Sequence, residues 1–141
     1  MFSPSREQVR EMFFATWRKY RAGEPLAGIE TLALEAILLH PEYHALLAEP
    51  ERWRDRDYVD ETNPFLHMSL HVALLEQVSI DQPPGIAVLI RQMERKKGDR
   101  HEALHEALEC LAETVWRAQR DGTPPDASAY LDCLANKART D

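Results

Sequence analysis

Apolar residues recur along this chain at spacings of three and four rather than the two of a strand, so helices are the elements to look for. Val9, Met12, Phe13, Trp17 and Tyr20 mark one face of a first helix. Ser3 as N-cap with Pro4 at the first helical position opens it, and Gly23 stops it. A second, strongly apolar helix is predicted over 26–39. It ends because His40 precedes Pro41, and a residue before proline is pushed out of the α region, so a kink or fresh turn begins there. Residues 50–63 are charged and aromatic without period and predict the one long loop. Asn63 and Pro64 then cap a third helix reaching about Ser79.

The DQPPG turn at 81–85 introduces a fourth helix with Ile86, Leu89, Ile90 and Met93 on one stripe and Gly98 at its end. Asp99 and Glu102 have the spacing of a capping box for a fifth helix running to about Arg120, where Gly122, Pro124 and Pro125 end it. The last helix, over about 126–137, presents Tyr130, Leu131 and Leu134 to the core. The pattern predicts an all-α protein, a compact antiparallel bundle of about six helical segments.

Composition narrows the function classes. A chain of 141 residues with 44% apolar positions is long enough for one core, so a single domain over 1–141 is expected. A net charge of −7 argues against nucleic acid and anionic membranes as partners, because both demand a positive footprint. The basic stretch Arg91–Lys97 is short and suits a helix C-terminus. The apolar run Leu32–Leu39 contains Glu35 and is far too short to span a bilayer, and the first residues do not have the build of a secretory or mitochondrial leader. Cys110 and Cys133 form no CxxC and read as free thiols in a reducing compartment, which makes a cytoplasmic location the expectation. A protein partner or a second copy of the chain remains open.

All six histidines fall into i,i+4 pairs: His40 with His44, His67 with His71, and His101 with His105. Random placement of six histidines in this length gives about 0.2 such pairs. On a helix this spacing puts two imidazoles one turn apart on one face, where both can reach one ion. At about 100° per residue, Leu70, Leu74, Leu75 and Val78 surround His67 and His71, while Ser69, Glu76 and Gln77 lie across the wheel. Leu104, Leu108, Ala112, Val115 and Trp116 surround His101 and His105 in the same way, and Glu109 follows His105 by one turn. Both pairs occupy the first two turns of their helices, and two short connections make those helices co-directional in an up-down bundle. A site is therefore expected from His67, His71, His101, His105 and Glu109, with His40 and His44 arriving at the same end. Imidazole-rich sites suit zinc, iron, copper or nickel. The alternative is a metal-free interaction or structural module in which these are hydrogen-bonded core histidines.

HEALH at 101–105 matches the HExxH of zinc metalloproteases, in which the glutamate acts as general base. Here Leu108 stands where a GxxH extension would place glycine, and Glu102 already belongs to the helix start, so a zinc hydrolase is the minor reading. No phosphate loop, serine elbow or dinucleotide fingerprint is present, and no catalytic residue is assigned. Trp53 and Tyr58 stand in the predicted loop among Asp55, Asp57, Asp60 and Glu61, a lid or a plain acidic surface.

The segments HPEYHALL, NPFLHMSLHVALLEQVSIDQPPGI and HEALHEALECLAETVWRAQRDGTPPDASAYLDCL resemble a family of small bacterial proteins, domain-of-unknown-function family 1841. The resemblance covers nearly the whole chain. It implies a helical, non-secreted bacterial protein and brings no activity or ligand with it. The ligand inventory is also similar in type to haemerythrin-like di-iron bundles, although helix order and the second carboxylate do not match.

Overall fold

Ser5 opens the first helix, α1 (Arg6–Ala22): its Oγ accepts from the Gln8 N–H at 3.1 Å, while its own N–H donates to Gln8 Oε1 at 2.8 Å. This reciprocal pair satisfies two donors that the first turn leaves unbonded. The computed structural model describes residues 5–59 and 61–139. The expected cap at Ser3 and Pro4 lies outside the described residues. Gly23, at φ 70°, ends α1 in the left-handed region that a side chain resists. The remaining elements are α2 (Ile29–Leu38), a 3-10 turn (Pro41–Tyr43), α3 (His44–Leu47), α4 (Pro50–Trp53), α5 (Pro64–Ile80), α6 (Ile86–Lys97), α7 (Arg100–Asp121) and α8 (Ala127–Ala138).

The described residues are all-α, as the periodicity predicts. Eight helices replace the expected six because residues 44–53 contain two single-turn helices. Pro50 fixes the φ angle at the start of α4, so the expected loop begins only after Trp53. No helix among the described residues is long and apolar enough to cross a membrane.

The chain divides into two compact units, Met1–Val72 and Ala73–Asp141. In the first, α1 packs against α2 and α3 over a core that includes Phe13, Phe14, Trp17, Ile37, Leu47, Phe65 and Met68. Phe13 is fully buried, and truncating a phenylalanine in such a place costs about 3–5 kcal/mol. Lys19 of α1 ties to Glu30 of α2 at 2.8 Å. Arg10, also buried, donates through Nη1 to the carbonyls of Arg54 (2.9 Å) and Arg56 (2.8 Å) and so fastens the segment after α4. Arg6 adds a bond to Asp57 at 2.7 Å. Trp53 is flanked by the guanidinium groups of Arg52 and Arg56, 5.0 and 4.9 Å from its ring centroid. This stretch is pinned along residues 54–57.

In the second unit, α6, α7 and α8 pack on one another around Ile86, Ile90, Met93, Leu104, Leu111, Tyr130 and Leu134. Asp81 rather than a residue at the helix boundary caps α6. Its carboxylate accepts from the N–H groups of Gly85 and Ala87, and these bonds hold it below the usual carboxylate range. Asp99 caps α7 by accepting from Glu102 N–H, so the expected capping box is realised through its aspartate arm. Asp126 caps α8.

One expectation is overturned here. Cys110 and Cys133 are not free thiols but a disulfide joining α7 to α8, with 5.9 Å between Cα atoms. The turn at Gly122–Asp126 folds α8 back along α7 and brings the two cysteines to one level. The thiol-based argument for a reducing compartment falls with it.

Candidate metal centre

The site begins where α2 stops. Pro41 has no N–H, so the Ile37 carbonyl, its partner in a continuing helix, is released. The His40 N–H turns to that carbonyl at 3.0 Å, which in turn frees the carbonyl of Ala36. The His40 ring takes up this oxygen, with Nδ1 at 2.7 Å. A carbonyl only accepts, so Nδ1 carries the proton and, in the neutral ring, Nε2 presents a lone pair. His40 is 1% exposed, and its ring is therefore fixed in orientation and tautomer inside the first unit.

His67 and His71 stand on the first two turns of α5, whose start is secured by Asn63 Oδ1 accepting from the N–H groups of Phe65 (3.0 Å) and Leu66 (3.2 Å). Their ring centroids are 4.9 Å apart, and His40 lies 4.8 Å from His67 and 4.5 Å from His71. His71 is fully buried and His67 half-buried. His67 Nε2 lies 3.0 Å from His40 Nε2. One ring nitrogen from each of the three lies within 4.8 Å of the others. Two nitrogens on one tetrahedral ion at about 2.0–2.1 Å would be about 3.3 Å apart, close to the 3.0 Å between the His40 and His67 Nε2 atoms.

His44, the partner of His40 in sequence, is carried elsewhere. The turn at Pro41 breaks the shared helical face, and His44 Nε2 donates to the Ile37 carbonyl at 2.9 Å while its ring stacks on Trp17, with centroids 4.3 Å apart. Tyr43, which the histidine spacing did not single out, stacks on His40 at 5.4 Å, and burial raises its phenol above the usual range. It forms an apolar wall with a polar tip beside the imidazoles.

In the second unit, His101 and His105 occupy the first two turns of α7, both half-buried, with ring centroids 4.3 Å apart. Their pairing on one face is as the spacing requires. Glu109, expected to extend this pair, has an exposed carboxylate that accepts from Lys137 Nζ at 2.8 Å. Glu102, the glutamate of the HExxH match, is exposed.

These features define an all-helical protein with a cluster of buried and half-buried imidazoles and no carboxylate among the three that meet in the first unit. A family model described as domain of unknown function (DUF1841) matches residues 5–136, and the chain belongs to that family. No curated protein and no solved structure matches the chain.

Proposed function

We propose that this protein binds a transition-metal ion through His40, His67 and His71. The observation that carries the reading is the orientation of His40: a backbone carbonyl holds Nδ1–H and leaves Nε2 facing His67 Nε2 at 3.0 Å. Metal-ligating histidines are oriented by such an outer hydrogen bond, which also raises their basicity. Three imidazoles without a carboxylate favour zinc, copper, nickel or iron over magnesium or calcium. Three protein nitrogens also leave a coordination position for water or a further ligand. Glu109 is not put forward as a ligand, because Lys137 engages it.

Elemental analysis of protein purified without an affinity tag, beside a His40→Ala/His67→Ala/His71→Ala variant, tests the reading. About one equivalent of metal in the wild type and little in the variant is expected, with a chelator lowering the melting temperature of the former only. Equal, near-zero metal in wild type and triple variant, with no uptake on titration with zinc, copper or nickel, would leave a metal-free cluster of core histidines.

A further inference from the structure

The two halves of the disulfide between α7 and α8 are unequally covered. Cys110, in the middle of α7, is 1% exposed, whereas Cys133, in the middle of α8, is only half-buried. Inside a helix the main chain is shielded by its own turns, so what solvent reaches at Cys133 is its side chain. Both cysteines line a groove of about 640 Å³ between α7 and α8, within the second unit. A space of this size is within the range of clefts that hold small molecules.

Thiol–disulfide exchange goes to the sulfur that a thiolate can reach, and here burial singles out Cys133. The groove around it carries both signs of charge. Arg117, Arg120 and Lys137 stand in its lining with Glu113, Asp121 and Asp132. Arg117 pairs with Glu113 at 2.7 Å and Arg120 with Asp121 at 2.9 Å, and all four of these side chains are open to water. Exposed pairs of this kind hold little net energy, so an incoming carboxylate or ammonium can take the place of one member without leaving a buried charge behind.

We propose that this groove is an exchange site for a low-molecular-weight peptide thiol carrying both carboxylate and ammonium groups, with Cys133 the sulfur attacked and Cys110 the resolving thiol. The thiolate sulfur of the peptide bonds to Cys133 Sγ, the Cys110–Cys133 bond breaks, and its electron pair leaves on Cys110 Sγ, which takes up the proton that the peptide thiol gave up. One thiol and one disulfide become one disulfide and one thiol, and no oxidant or reductant is consumed. Helix α8 stays packed on α6 and α7 through Tyr130 and Leu134, both buried, so Cys110 remains beside Cys133 and expels the peptide by the reverse step. The site draws on none of the clustered histidines.

The test mixes the oxidised full chain with reduced glutathione, a tripeptide thiol of this class, stops the reaction at early times with iodoacetamide and maps the adducts by peptide mass. Glutathione on Cys133 and the alkyl group on Cys110 are expected, at a rate that saturates with glutathione and is several times that of 2-mercaptoethanol at equal thiolate concentration. Because the reverse step keeps this adduct scarce, Cys110→Ala protein is also treated with oxidised glutathione and should take up one glutathione at Cys133. Cys133→Ala protein, with Cys110 buried in α7, should react several times more slowly, both variants being checked for native helix content by circular dichroism. Glutathione found on Cys110 as often as on Cys133 would overturn the assignment of the attacked sulfur. Absence of any adduct in both wild type and Cys110→Ala would overturn the exchange site. A wild-type rate linear in glutathione and no greater than that of 2-mercaptoethanol would overturn the binding of a peptide thiol in the groove.

Discussion

At the scale of single residues, the chemistry turns on which nitrogen of each imidazole carries a proton. Ala36 fixes His40 as the Nδ1–H form, so in the metal-free neutral pair the hydrogen between the two Nε2 atoms belongs to His67. Coordination through His67 Nε2 requires that proton to move to Nδ1, while His40 keeps its tautomer. Long-range ¹H–¹⁵N spectra on titration with zinc should show His67 exchanging Nε2–H for Nδ1–H and His40 unchanged. A His40 ring that is Nε2-protonated before titration would contradict the assignment. Helical spacing alone reveals His67 and His71, because both lie on one uninterrupted helix. It misleads at His44, since Pro41 lies between the members of that pair and sends the second ring to Trp17. Nor does residue spacing reveal the Ala36 carbonyl, a main-chain atom freed only by the particular way α2 ends.

At the scale of elements, helix starts and stops are the most legible features, because caps are short-range chemistry written in adjacent residues. Asp99, Gly98 and Gly122 act where they are expected, whereas Ser5 opens α1, Asp126 caps α8 and Asp81 reaches six residues ahead to cap α6. The tie between α1 and α2 is long-range and appears only in the fold. Lys19, and after it the Ala27 N–H, hold the Glu30 carboxyl below its ordinary value of 4.5. A carboxylate with a depressed folded-state pKa contributes stability above its unfolded pKa and loses it as pH falls through the folded value. Glu30→Gln should therefore melt below the wild type at pH 7, with the difference closing as pH falls below 4.5 in parallel melts from pH 7 to pH 3. A difference that persists undiminished at the acid end would show that Glu30 acts through packing and not through its charge.

At the scale of the whole molecule, the helical class is plain from periodicity, but covalent linkage between helices is not, because it depends on how one helix is rotated against the next. A trace of it is nonetheless present: Cys110 stands 12 residues before Gly122 and Cys133 11 after it, so an antiparallel return at that turn sets them level. At a sequence separation of 23, the cross-link restricts the unfolded chain by about 3 kcal/mol on the loop-entropy account. A Cys110→Ala/Cys133→Ala variant and the reduced wild type should both melt several degrees below the oxidised protein and close to each other. Indistinguishable melting of all three would remove the disulfide from the stability of the second unit. Oxygen 36 belongs to the polypeptide itself and is present whatever residue that codon encodes. Drift in neighbouring side chains has no partner group to delete, and a descendant of this chain would inherit the aim of the His40 ring together with the bend at Pro41.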